Sequence, residues 1–95
     1  MSERDLMVRE MVSFRGVVQG VGFRASCRAV AGELSLVGWV RNEADGTVTA
    51  HVQGPSSAVE QFYERVSGAG LARIEGVCRS AVPTDESELE FVVAR

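Results

Sequence analysis

Hydrophobic positions along the chain follow two periods, one typical of strands and one typical of helices. Five segments are rich in β-branched and other apolar residues and are predicted as strands: residues 7–18, 36–42, 47–53, 71–79 and 90–94. The third segment alternates strictly. Its apolar residues are Val48, Ala50 and Val52. The residues between and beside them are Thr47, Thr49, His51 and Gln53. This alternation predicts a strand in an antiparallel sheet that is packed on one face and hydrated on the other.

Two further segments have apolar residues at the three- and four-residue spacing of an amphipathic helix. In the first they are Phe23, Cys27, Val30, Ala31 and Leu34. In the second they are Val59, Phe62, Tyr63 and Val66. We expect Pro55 to occupy the first helical position of the second helix, where no backbone N–H is needed. Gly68 is placed to end that helix.

The order of these elements predicts the fold. Asp45 and Gly46 lie between the second and third segments and supply the positive-φ residues of a tight hairpin. The resulting order is β-α-β-β-α-β with a short terminal strand. That order indicates an α+β, ferredoxin-like sandwich: an antiparallel sheet with two helices on one face and the other face open to water. Without repeats or linker-like tracts, residues 1–95 are expected to form a single domain.

Composition restricts the chemistry that such a domain can perform. The chain has 95 residues, ten of them Gly, and all ten basic residues are Arg. The lack of Lys excludes a Schiff-base enzyme and a P-loop NTPase, because both use an amine. The net charge is −3, although Arg exceeds acidic residues within residues 15–42. We therefore expect no nucleic-acid partner, while the Arg-rich segment is suited to a small anion.

The cysteines and the termini bring no further chemistry. Cys27 and Cys78 lack metal-ligand spacing, and the chain has a single His, so we expect no metal site. Both cysteines are interpreted as small buried hydrophobes, and their spacing allows either free thiols or a pair. There is no signal-peptide pattern and no apolar run of the ~18 residues that a membrane helix needs. These features predict a cytoplasmic protein without membrane contact, monomeric at this size.

The segment between the first strand and the first helix carries the candidate chemistry. Arg24 directly follows it. The residues of this segment are Gly16, Val17, Val18, Gln19, Gly20, Val21, Gly22 and Phe23. Glycines permit positive φ, so successive N–H groups can converge, and the helix start adds free N–H groups and a positive dipole end. The Arg24 guanidinium matches two phosphate oxygens. From the residues alone, a phosphate-sized anion cradle and a plain tight turn with a solvated Arg24 remain alternatives.

This segment strongly resembles the signature of the acylphosphatase family, and further blocks of the chain are similar to that family in register. They are Gly38-Trp39-Val40-Arg41-Asn42, Gly46-Thr47-Val48, Gly54-Pro55 and Ala72-Arg73-Ile74-Glu75. The resemblance covers most of the chain. It implies the same ferredoxin-like fold and hydrolysis of the carboxyl–phosphate bond of a small-molecule acylphosphate, without metal or cofactor.

The resemblance also implies roles for two side chains. Arg24 matches the arginine that binds the substrate phosphoryl group, with the backbone of residues 16–22 as its cradle. Asn42 matches the asparagine that positions the attacking water, and the substrate's own phosphate oxygen is the implied proton acceptor. These roles are physically reasonable because phosphoryl transfer needs positioning and charge stabilisation, and an amide offers both a donor and an acceptor.

Two positions depart from the family pattern. Val17 stands where the family usually has a basic residue, which predicts weaker binding of a dianion. Ser35 stands where the family commonly has the Gly that closes the first helix, which predicts a local cost in helix termination.

Two other interpretations of the same sequence lead to different functions. One is a weakly active or non-catalytic acylphosphatase-like module that binds carbamoyl phosphate or another small phosphorylated ligand. Such modules occur in larger proteins of hydrogenase maturation. The other is a ligand-sensing or RNA-binding ferredoxin-like domain. RNA binding needs exposed aromatic residues on the central strands, where we expect Thr, His and Gln. Phe23 and Trp39 are expected to pack in the core or on the sheet. Arg28, His51 and the acidic stretch 85–90 are expected on the solvated surface.

Overall fold

The chain folds into a five-stranded sheet with two helices on one face. This is seen in a computed structural model that describes residues 5–95. The elements are β1 (Met7–Val17), α1 (Phe23–Glu33), β2 (Val37–Asn42), β3 (Val48–Pro55), α2 (Ser56–Ser67), β4 (Arg73–Val82) and β5 (Phe91–Val93). The strand order across the sheet is β4-β1-β3-β2-β5. The predicted ferredoxin-like α+β fold is confirmed.

The sheet is mixed, which corrects the expectation of a purely antiparallel one. β1 pairs antiparallel with β3 and β4, and β2 pairs antiparallel with β3. The short β5 pairs parallel to β2, with Val40 opposite Val93. The reason is the connection after β4, which runs from one edge of the sheet to the other and enters β5 beside the start of β2.

The hydrophobic core lies between the sheet and the helices. Val48, Ala50 and Val52 of β3 are fully buried there, as their alternation predicts. Helix α1 contributes Phe23 and Cys27, which are buried on the same side. The Phe23 ring packs edge-to-face against Phe14 at 4.9 Å between centroids. Burial of these side chains is the main stabilising contribution, at about 1.5–3 kcal/mol for each large one.

Helix α2 begins one residue later than predicted. Pro55 is the last residue of β3 and the N-cap of α2, with φ −56° and ψ 140°, so the first helical residue is Ser56. Pro55 offers no side-chain cap, and Asp5 supplies one instead. Its Oδ1 accepts a hydrogen bond from the Ser57 N–H at 2.9 Å. This bond lowers the pKa of the Asp5 carboxyl. Gly68 ends the helix, as predicted.

The β2–β3 hairpin uses one positive-φ residue where two were predicted. Gly46 has φ 93°, whereas Asp45 keeps a negative φ. Asp45 instead accepts hydrogen bonds on Oδ1 from the N–H (3.0 Å) and hydroxyl (2.7 Å) of Thr47. The hairpin is therefore closed by a side-chain cap together with a single glycine.

The open face of the sheet is partly covered, which the sequence did not predict. The acidic stretch 85–90 was expected to be solvated, yet within the loop 83–90 Glu88 pairs with the buried guanidinium of Arg9 at 2.6 Å. The Gln53 amide also binds the loop, donating to the Asp85 carbonyl at 3.0 Å and accepting from its N–H at 2.7 Å. A buried charge needs such partners, and the loop provides them.

Trp39 also lies on the open face, where only polar side chains were expected. Its ring stacks on His51 at 4.5 Å, and the Arg41 guanidinium lies 4.9 Å from the ring centroid. Trp39 is thus packed between neighbouring side chains of the sheet. Within residues 5–95, no helix has both the length and the apolar character required to cross a membrane.

Candidate active site

The loop between β1 and α1 forms a turn whose backbone conformation depends on glycine. Gly20 and Gly22 have φ 75° and 78°. A Cβ at either position would meet no atom within 4 Å, so the dihedral angle, and not lack of space, requires glycine there. Val18 is 1% exposed and anchors the loop in the core. The predicted turn is present, and it opens outward at the two glycines.

The loop between β1 and α1 is shorter than the predicted loop 16–22. Gly16 and Val17 belong to β1 and pair with Ile74 and Arg73 of β4, after a bulge at Arg15/Gly16. A Cβ at Gly16 would collide with the Arg73 carbonyl, so this glycine permits close packing of β1 against β4. Residues 18–22 form the loop.

Helix α1 starts at this loop with its N–H groups uncapped. The N-cap Gly22 makes no side-chain capping bond, and the first turn contains no acidic residue. A helix start in this state has free donors and a positive dipole end. Next to it lies a cavity of about 230 Å³. Its lining is Val18, Gly20, Gly22, Phe23, Arg24, Ala25 and Val93.

Arg24 is half-buried at the edge of this cavity. Within residues 5–95 its guanidinium takes part in no ion pair. Four other arginines do form ion pairs, for example Arg79 with Glu10 at 2.8 Å. The cavity therefore combines an uncompensated guanidinium with free backbone donors, which is the chemistry of an anion site.

Asn42 is the last residue of β2. Strands β1 and β2 are both antiparallel to β3, which lies between them, so their C-terminal ends lie at the same end of the sheet. The Oδ1 atom of Asn42 is buried and has no hydrogen-bond partner, and no other buried side-chain nitrogen or oxygen in residues 5–95 is in that state. An unpaired buried acceptor costs about 1–3 kcal/mol and calls for an explanation such as a bound water.

The side chain of Gln19 joins the loop to the hairpin that follows Asn42. Its Nε2 donates to the carbonyl of Glu43 at 2.8 Å and to that of Thr47 at 2.9 Å. Asn42 does not line the cavity, and it is connected to the loop through this bridge. Of the predicted loop residues, four lie outside the cavity lining: Gly16, Val17, Gln19 and Val21.

Several other candidate residues lie away from the cavity. Burial raises the pKa of the Cys27 thiol to about 12, so it stays protonated. Cys78 is exposed, contrary to the expectation of burial, and both cysteines are free thiols. His51 lies on the open face of the sheet. In the described part of the chain, no three His, Cys, Asp or Glu side chains cluster in a way that could hold a metal ion.

Comparison with known proteins decides the family. The acylphosphatase family model matches residues 11–93. The chain belongs to the acylphosphatase family. It is 44% identical over 90 residues to an acylphosphatase of Rhizobium etli, covering 95% of this chain and 89% of that protein. The predicted resemblance is confirmed, and the protein is an acylphosphatase hydrolase acting on acylphosphates.

Solved structures agree with this assignment. An acylphosphatase from Bacillus subtilis superposes with a TM-score of 0.86 at 28% identity, covering 95% of this chain and 100% of that chain. A crystal structure of full-length HypF in its phosphate- and nucleotide-bound form superposes with a TM-score of 0.82 at 21% identity. The match covers 95% of this chain and 12% of HypF, and at this identity it shows a shared fold alone.

Proposed function

We propose that the loop 18–22, the start of α1 and Arg24 bind the phosphoryl group of an acylphosphate. Gly20 and Gly22 open the loop so that its N–H groups reach the phosphoryl oxygens, and the uncapped helix start adds further donors. Arg24 contributes two parallel N–H bonds and a charge that no acid in residues 5–95 neutralises through an ion pair. These groups act on the oxygens whose charge persists into the transition state.

Asn42 orients the attacking water in this proposal, and its unpaired Oδ1 is the observation that carries it. A water bound to Oδ1 satisfies the buried acceptor and keeps a lone pair for attack on phosphorus. The amide has no pKa in the working range, so it positions the water without taking its proton. The rigid end of β2 limits how far the water can shift.

The reaction consumes one water. Its oxygen forms a bond to phosphorus as the bond between phosphorus and the acyl oxygen breaks, so a carboxylate and inorganic phosphate are released. The water's proton passes to a phosphoryl oxygen of the substrate. A carboxylate is a good leaving group and needs no protonation by the protein. Charge stabilisation by Arg24 and backbone N–H groups, without a metal or cofactor, is therefore sufficient in this scheme.

Release of phosphate from benzoyl phosphate, followed in the presence of EDTA, tests this assignment. We expect turnover by the wild type that the chelator does not change. Arg24→Ala and Asn42→Ala should each lose ~10²-fold or more in kcat/KM, the size of the loss when one oriented hydrogen-bonding group is removed. Arg28→Ala, one helical turn away and exposed, is the matched control and should keep its rate.

The outcomes separate this proposal from the alternative of a binding module for carbamoyl phosphate or another phosphorylated ligand. An inert wild type that still binds phosphate would support the module. Folded Arg24→Ala and Asn42→Ala variants at full rate would remove both residues from the mechanism.

We also propose that residues 1–95 act as a single domain and as a monomer in the cytoplasm, which sedimentation and cell fractionation test.

A further inference from the structure

Gln19 occupies a position between the two halves of the site. It lies in the loop of the cradle, and its Nε2 binds two carbonyls of the hairpin, Glu43 O at 2.8 Å and Thr47 O at 2.9 Å. Both partners are acceptors only, so the NH₂ end of the amide must face them and its orientation is fixed. Glu43 directly follows Asn42 in the chain.

Each half of the site is held together without Gln19. The hairpin is closed by the Glu43 N–H donating to the Thr47 carbonyl at 2.9 Å and by the cap that Asp45 gives Thr47. The loop is anchored by Val18, which is buried in the core. The two bonds from Gln19 are therefore not needed to form either piece. Within residues 5–95, they are the only hydrogen bonds that join the loop 18–22 to the hairpin 43–47.

Two features connect Asn42 to the cradle, the pairing of β1 and β2 with β3 and the bridge from Gln19. The Oδ1 atom of Asn42 bonds to no group in the described chain, so the place of the water depends on the backbone that carries Asn42. In-line attack requires the water and the phosphoryl group to be aligned, and a misplacement of about 1 Å can cost 10²-fold in rate.

We infer that Gln19 is a positioning residue that sets the distance between the phosphate cradle and the water held by Asn42. The inference rests on the proposed function and goes beyond it, because the side-chain amide of Gln19 donates to the hairpin and is not one of the groups proposed to bind the phosphoryl group or the water. Removing its amide should leave the cradle able to bind phosphate while the water is no longer aligned. The signature is a loss in kcat with little change in phosphate affinity.

Gln19→Met tests the inference because it keeps the length of the side chain and removes both donors. We expect kcat for benzoyl phosphate to fall by ~10-fold or more, while the inhibition constant of inorganic phosphate changes by less than about threefold. In the Asn42→Ala background the same substitution should change kcat by less than about threefold, since no positioned water remains to be misplaced.

Gln53→Met is the matched control. Gln53 also binds a loop backbone through its amide, at Asp85, on the opposite end of the sheet. It should lower stability and leave kcat of the folded enzyme unchanged. If Gln19→Met does not fold, Gln19→Glu takes its place, because a carboxylate of the same length cannot donate to two carbonyls.

Three results overturn the inference while leaving the proposed function standing. They are full kcat in folded Gln19→Met, an equal loss with and without Asn42, and a loss of phosphate affinity that matches the loss of kcat. If instead the wild type does not hydrolyse benzoyl phosphate, the proposed function itself fails. The wild-type rate, measured first, distinguishes the two failures.

Discussion

At the scale of single residues, Ser35 adopts a backbone conformation that suits glycine. Its φ is 58° just after α1, and it is exposed, so no contact of the side chain offsets the strain. The left-handed conformation costs an L-residue about 1–2 kcal/mol, of which glycine's greater freedom when unfolded returns part. The predicted departure from the family's Gly is thus a real local strain, and it lies at the far end of α1 from Arg24.

Ser35→Gly should raise the free energy of unfolding by about 0.5–1 kcal/mol. Urea denaturation followed by circular dichroism measures the change. Ser26→Gly, the same exchange inside α1, is the matched control and should lower stability by about 0.5 kcal/mol, because a helix interior disfavours Gly. Equal effects of the two substitutions would contradict the strain at Ser35.

His51 makes stability depend on pH. Its Nδ1 accepts a hydrogen bond from Arg9 Nε at 3.1 Å, so the folded state holds the ring neutral. Partial burial, followed by the charge of Arg9, lowers its pKa, although Glu88 opposes this. As the pH falls, His51 therefore binds a proton in the unfolded chain before it does so in the folded protein. The stability that neutral His51 contributes is present above the pKa of about 6.5 that His51 has in the unfolded chain. It is lost as the pH falls through the pKa that His51 has in the folded protein.

We expect the Tm of the wild type to fall between about pH 7 and 5, a window above the range in which ordinary carboxyls titrate. His51→Gln should flatten this part of the profile, because His51 is the only histidine. Thermal melts followed by circular dichroism across the window decide the question. An equal slope in the wild type and the variant would show that another group is responsible.

At the scale of elements, the loop 83–90 acts as a cover for a buried charge. Arg9 is 5% exposed, and the loop residue Glu88 is its carboxylate partner. Breaking this pair leaves a buried guanidinium with Gln53 and His51 as its remaining partners. Removal of one hydrogen-bonded partner of a buried charge costs more than loss of an exposed ion pair.

Glu88→Ala should lower the free energy of unfolding by about 1–3 kcal/mol. Glu33→Ala removes the carboxylate of an exposed pair with Arg65 and should change stability by no more than about 1 kcal/mol. Chemical denaturation of both variants in parallel gives the comparison. Equal losses would mean that burial of Arg9 does not distinguish the two pairs.

The elements themselves could be predicted from periodicity, and their connections only in part. Alternation identified β3 because one face is buried, and helical spacing identified α1 and α2. The start of α2 was misplaced because Pro55 suits both the last position of a strand and the start of a helix. The parallel pairing of β5 follows from the path of the loop 83–90, which leaves no local pattern in the sequence.

At the scale of the whole molecule, the fold brings two motifs that are distant in sequence to the same end of the sheet. The resemblance to the family predicted Arg24 and Asn42 as residues of one site. The directions of β1 and β2 explain how the segments that carry them come to the same end of the sheet. The unpaired Oδ1 of Asn42 and the bridge from Gln19 could not be predicted, because burial and hydrogen bonding arise only in the folded chain. Gly16 was predicted in the loop and lies in β1, because a glycine needed for strand packing looks the same in sequence as a glycine of a loop.

In the proposed site the cradle binds phosphate, and Asn42 separately positions the water. Measuring kcat together with the inhibition constant of inorganic phosphate for Asn42→Ala tests this separation most directly. We predict that kcat falls ~10²-fold, while phosphate inhibition stays within about threefold of the wild type, less than 1 kcal/mol. Unchanged kcat, or a loss of phosphate affinity as large as the loss of kcat, would contradict the account.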